Sequence, residues 1–221
     1  MGDLIMDIRM WSCCRRILMI LAFATAGFAA PRQHTVALGR WRSVKAVNND
    51  DHEQRLRVRP LFVDGRLREY TAGSPHYVTD RIFVVRRVRL LNDSLPSESG
   101  QKPRWLWQRD TWLSVDRQSG RVAQLNLAEF DPDVSQASWY RDYAAYCGAS
   151  DGDKTYMVVV QLGRRKPILK KQFAGSRCPA PLWDRSPSRV TFNLGDEHNS
   201  FVVHAHGAIP ERDSESVEEG P

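Results

Sequence analysis

The run Arg55-Leu-Arg-Val-Arg-Pro-Leu-Phe-Val63, then Asp64-Gly65, then Arg66-Leu-Arg-Glu-Tyr-Thr71 constrains the fold more than any other stretch of the chain. Apolar and basic residues alternate on both sides of an Asp-Gly pair, the strongest short-range signal for a β-hairpin. Strand side chains point alternately to two faces, so the hairpin is committed to one apolar and one cationic face. A tight turn at Asp64-Gly65 pairs Val63 with Arg66, Leu61 with Arg68 and Arg59 with Tyr70. That register puts Arg57, Arg59, Arg66, Arg68 and Tyr70 on the outer face. Leu56, Val58, Phe62 and Leu67 then fall on the core side.

The same pattern continues along the chain. Arg81 to Leu91 is rich in Val, Ile and Phe and reads as a longer, more buried strand. Arg104 to Gln108 and Thr111 to Val115 follow, and Asp116 to Gly120 is a turn leading into Arg121 to Leu127. Lys154 to Leu162, Lys166 to Phe173, Arg189 to Leu194 and Ser200 to Ala205 complete the set, with a Pro- and Ser-bearing loop at Ala174 to Ser188. One helix is expected near 135–147, where Trp139, Tyr143 and Tyr146 recur at helical spacing behind Asp133 or Ser135 as caps, with Gly148 as the stop. About ten short strands and a single helix predict a mainly β fold, an antiparallel β-sandwich or barrel. Ser114 to Val122 and Ser150 to Tyr156 resemble fragments of propeller blades, but their different spacings establish no repeat.

The ends of the chain are of another kind. Arg9, Arg15 and Arg16 precede an apolar run from Ile17 to Phe28, and Gly27 and Ala29 suit cleavage before Ala30. Residues 1–29 therefore read as a signal peptide, whose apolar run is short of the roughly 20 residues a spanning helix needs. The acids Asp3 and Asp7 fit a signal start poorly, so translation from Met6 or Met10 is an alternative. Residues 30–207 form the expected single β-rich domain, exported to the periplasm or secreted, with no membrane span in the mature form. The stretch 208–221 is expected to be a disordered acidic tail, since positions 210–221 hold five acids against one Arg and almost nothing apolar.

Cysteine usage agrees with export. Cys13 and Cys14 leave with the signal, whereas Cys147 and Cys178 remain to form one disulfide in an oxidising compartment. Of the 32 Lys and Arg and 26 Asp and Glu in the chain, 28 and 19 fall within residues 30–209, a net charge of +9 there. Arg outnumbers Lys 26 to 6. Arg suits bidentate capture of phosphate or carboxylate, although a GC-rich genome produces the same bias. Export makes nucleic acid an unsuitable partner.

Several constellations invite a chemical reading. The Arg57, Arg59, Arg66, Arg68 and Tyr70 face is a shelf for an anionic polymer or glycan; the alternative is a solvated face whose Arg residues pair with Glu69 and with acids elsewhere. Arg164, Arg165, Lys166, Lys170 and Lys171 form a second basic group around an expected hairpin tip, which would extend the Arg shelf; protection of an edge strand accounts well for Lys170 and Lys171. His204 and His206 alternate on a strand and, with Asp196, Glu197 or His198, would have the makings of a metal site, but two His at a strand end are weak grounds, and no metal or cofactor is expected. Gly148-Ala-Ser-Asp-Gly152 matches the nucleophile-elbow pattern without its strand-to-helix context. Asp131, Asp133 and Asp142 would supply a glycosidase pair, but Asp131-Pro132-Asp133 fits helix capping better. Trp105, Trp107 and Trp112 would serve as a sugar platform or, more simply, as core. With no catalytic set assembled, the chain reads as an exported non-catalytic domain binding an anionic polymer or envelope component. The alternatives are an exported hydrolase acting on glycans, and a structural or assembly partner of an envelope protein.

Overall fold

The computed structural model describes residues 33–47, 53–92, 94, 104–150, 154–175, 178–195, 197–204 and 207–210. The expected signal segment and residues 211–221 of the acidic tail lie outside the described residues. Everything described is strand, turn or irregular connection; among these residues there is no helix. The mainly β architecture expected from the alternating pattern is present as three sheets.

The first sheet contains β1 (Val36–Leu38), β2 (Arg42–Val47), β3 (Glu53–Val63), β4 (Arg66–Tyr77), β5 (Ile82–Asn92), β6 (Trp105–Asp116) and β7 (Val122–Gln124). Its order, β1-β3-β2-β6-β5-β4, closes on itself because β3 also pairs with β4. Strands β2 to β6 thus form a ring of pairings, completed by a parallel bridge between Ala46 and Trp107. Closure of this kind removes exposed edges. Val44, Ala46, Leu56, Val58, Tyr70, Ala72, Val88 and Trp107, drawn from all five ring strands, pack into one cluster. A second cluster gathers Leu61, Phe83, Val85, Leu113 and Val115 where β1 and β7 join the longer strands.

The second sheet is β8 (Ser138–Tyr140), β9 (Tyr143–Ser150), β10 (Lys154–Gln161) and β11 (Leu169–Phe173). The third is β12 (Leu182–Asp184), β13 (Arg189–Leu194), β14 (Glu197–His204) and β15 (Gly207–Pro210), so strand pairing continues as far as Pro210. These two sheets share a core: Ala145, Cys147, Met157 and Val159 of one meet Val190, Phe192, Phe201 and Val203 of the other. Each fully buried Val or Phe there contributes about 1.5–3 kcal/mol. The opposite face of the second sheet, with Ala144, Tyr146, Val158 and Val160, is covered by Leu127, Phe130 and Ala137 from the connection out of the first sheet.

The helix expected near 135–147 is instead the β8–β9 hairpin. Tyr140 pairs with Tyr143 across Arg141-Asp142, and Arg141 takes a left-handed φ of 52° to turn the chain. Burial of β9 on both faces is what misled the periodicity: Ala144 and Tyr146 enter one core, Ala145 and Cys147 the other. A doubly buried strand reads as a continuous apolar run, in which a helical spacing is found by chance. Tyr146 donates its hydroxyl to the Ala128 carbonyl at 2.6 Å. Gly148 is there for close approach rather than to stop a helix, since a Cβ on it would lie 2.4 Å from the Glu129 carbonyl oxygen.

Cys147 and Cys178 form the expected disulfide, which ties β9 to the connection between β11 and β12. The first sheet is pinned to the 130–142 stretch by polar contacts. Arg86, 8 % exposed, donates to the Pro132 carbonyl at 2.6 Å and lies 4.7 Å over the Phe130 ring. His76 donates Nε2–H to the Arg141 carbonyl at 2.7 Å and stacks on Trp139.

Candidate functional site

The Asp64-Gly65 hairpin forms as expected, with Val63 paired to Arg66 and φ positive at both turn residues. The register beyond it differs from the ideal ladder. Phe62 pairs with Leu67, but Leu61 pairs with Glu69 and Arg59 with Thr71, so Arg68 is the extra residue of a β-bulge. Tyr70 is consequently moved off the cationic face. It sits in the ring cluster, edge-on to Trp107 at 5.0 Å, with Arg42 5.4 Å over its ring. Leu67, expected in the core, is 49 % exposed.

The structure brings two of the five expected residues together and leaves two at the hairpin tip. Arg57 and Arg59, alternate residues of β3, both stack on Trp41, with guanidinium carbons 5.2 and 4.2 Å from the ring centroid. Stacking of this kind contributes about 0.5–1 kcal/mol per cation at exposed sites and holds two like charges in fixed positions. Arg66 and Arg68 are exposed at the tip, separated from Arg59 along β3 by Leu61 and Val63, which are fully buried.

Among the described residues none of Arg57, Arg59, Arg66 and Arg68 forms an ion pair. The nearby acids are committed elsewhere: Glu69 to Arg87 at 2.9 Å, Asp110 to Arg89 at 2.6 Å and Asp64 to His34 at 2.7 Å. Glu69, the acid expected to pair with these Arg residues on a solvated face, pairs with Arg87 instead. Arg59 is the most constrained of the four. Its NH2 group donates to the Gly73 carbonyl at 3.4 Å, while its buried Nε meets no acceptor among the described residues. Desolvation lowers its pKa, opposed by a weaker pull from Tyr77.

Arg59 and Trp41 line a cleft of about 560 Å³ together with Tyr77, Phe83 and Arg117, a volume within the range of about 300–1,000 Å³ usual for ligand sites. The cleft exists because β4 leaves its ladder with β5 between Ala72 and His76. Gly73, with φ at 71°, makes that departure, and its carbonyl faces Arg59. Beyond the break Tyr77 is 58 % exposed, its ring tilted against Phe83 at 5.7 Å. Arg117 follows β6 in a turn built on Asp116, which accepts from the Gln118 and Ser119 amides and from Arg81 Nε at 2.8 Å. Arg117 itself donates to the Asp80 carbonyl at 3.3 Å. Trp41, Tyr77 and Arg117 were not legible as site residues; the one local sign was Gly73-Ser74-Pro75, a break inside an otherwise strand-like run.

The remaining constellations resolve differently. Lys170 bonds Glu129 at 2.6 Å and lies over Tyr156, and Glu129 raises its pKa through that bond; Lys171 lies over Phe201. Arg164, Arg165 and Lys166 follow β10 in the turn toward β11. His204 is exposed at the end of β14, while His206 and Asp196 lie outside the described residues. Ser150 ends a strand rather than standing at a strand-to-helix elbow. Asp133 accepts from Gln108 at 2.9 Å and Asp142 from Gln161 at 2.8 Å, which is turn and cross-strand chemistry. Trp105 is exposed, whereas Trp107 belongs to the ring cluster and Trp112 stacks edge-on with Trp139 at 5.4 Å.

Fold and site together define a disulfide-linked, three-sheet β protein carrying an Arg- and aromatic-lined cleft, with no helix among the described residues long and apolar enough to cross a membrane. Comparison with protein families, with characterised proteins and with solved structures finds no match.

Proposed function

We propose that this is an exported, non-catalytic protein that binds an anionic polymer or envelope component through Arg57 and Arg59. The observation that carries the reading is the pair of guanidinium groups stacked on Trp41 with no carboxylate answering either among the described residues. A partly desolvated cation such as Arg59 costs stability unless an anion completes it, and Arg57 stacked on the same ring adds a second charge to the site. The Arg fork matches carboxylate and phosphate geometry. Export, periplasmic or extracellular, rests on the signal-like residues 1–29 and is compatible with the disulfide.

The test is binding of the full chain to polyphosphate, polygalacturonate and neutral dextran across a salt series. Affinity for the polyanions is expected to fall steeply with salt as counterions are released. Arg57→Ala/Arg59→Ala should flatten the slope of log affinity against log salt by about two, with dextran unbound throughout. Binding that ignores both salt and the double substitution would return these Arg residues to solvated surface.

A further inference from the structure

We infer that the polymer bound at this site is an acidic carbohydrate, a chain of sugar rings bearing carboxylate or phosphate; the inference rests on reading Arg57 and Arg59 as the anion site. The cleft supplies two different surfaces. Arg59 and Arg117 offer charge, while Tyr77, beside the buried Phe83, offers apolar ring surface. A bare polyanion has no use for the second. Tyr77 is the open ring of the cleft, 58 % exposed although a large aromatic gains most by being covered. Trp41 is already stacked by two guanidinium groups, so Tyr77 is where the C–H face of a sugar packs.

The spacing of the cations agrees. Arg55, Arg57 and Arg59 recur every second residue on one face of β3, about 6.6 Å apart at strand rise. Arg59 lines the cleft and the row continues past it, so the ligand is a chain and not an isolated small molecule. A linear polyphosphate carries a charge at each bridging step, closer together than this row. One charge per sugar ring is the coarser repeat that suits it.

The experiment measures affinity of the full chain for oligogalacturonate, phosphomannan, polyphosphate and neutral maltooligosaccharide, with Tyr77→Ala and Tyr77→Phe beside the unsubstituted protein. Oligogalacturonate or phosphomannan should bind more tightly than polyphosphate at equal total charge; which of the two wins identifies the acid group. Tyr77→Ala should weaken the acidic glycan about three- to tenfold and leave polyphosphate unchanged, and Tyr77→Phe should restore the glycan affinity. Unchanged thermal midpoints keep the comparison clean, since Tyr77 is largely outside the core. Equal binding of polyphosphate and acidic glycans, or a Tyr77→Ala protein that binds both as before, overturns the carbohydrate assignment and leaves the anion site standing. Absence of binding to every polyanion overturns both.

Discussion

Three kinds of charged residue in this molecule show how local surroundings decide what a side chain does. Arg86 is buried between Trp112 and Phe130, with its pKa pushed down to about 10 by desolvation. It remains charged at neutral pH and acts as a tether to Pro132. Arg57 and Arg59 are stacked on Trp41 and, among the described residues, unanswered by acids. Asp116 is held well below the ordinary carboxylate range, first by its bond from Arg81 and further by the Ser119 and Gln118 donors. A carboxylate whose pKa is lower in the folded chain than in the unfolded one adds stability above the unfolded value, and this is lost as pH falls through the folded value. Asp116→Asn is therefore expected to lower the urea midpoint at pH 7, with the two proteins converging as pH drops below about 4. A gap that stays constant from pH 7 to pH 2 would show that the Arg81 contact contributes nothing through charge. None of this was readable from residue types: Asp116 looked like a turn former, which it is, and its ion pair depends on Arg81 lying 35 positions away.

At the scale of elements, period-two alternation was legible wherever one face of a strand meets the core and the other meets water. Strands β3 and β13 are of this kind, and so the first hairpin and its turn were found. The pattern failed at β9, whose two faces enter two cores, and it could not reveal the bulge at Arg68 that moved Tyr70 to the other face. Bulges are set by how neighbouring strands twist and close, information that no single strand carries. Gly148 offers a sharp test of the hairpin assignment. Gly148→Ala would place a methyl against the Glu129 carbonyl, at a residue itself held at φ 55°. The expected loss is about 1–3 kcal/mol or more from overpacking, read from thermal or urea unfolding. Gly65→Ala, with open space around it, should cost only the left-handed strain of about 1–2 kcal/mol. A Gly148→Ala protein as stable as the original would mean that β9 does not approach Glu129 in this way.

For the whole molecule, the disulfide spans 31 positions and links the second sheet to a long connection. Closing a loop of that length should stabilise by about 3–4 kcal/mol, so Cys147→Ala/Cys178→Ala should unfold at correspondingly lower denaturant and ignore added reductant. Cys147 also lies in the core shared by the second and third sheets, so the double variant should lose slightly more than reduction of the unsubstituted protein does. Equal stability of all three forms would remove the bridge from the account. The sequence by itself determined the fold class, the disulfide and the cationic character of β3, because each depends on residue type and local spacing. Tertiary structure alone decided that the first sheet closes into a ring, that β9 is a strand, and that Arg59 meets Trp41, Tyr77 and Arg117 around one cleft. Those outcomes depend on contacts between residues tens of positions apart, where side-chain volume, bulges and register compete, and local pattern carries no record of that competition.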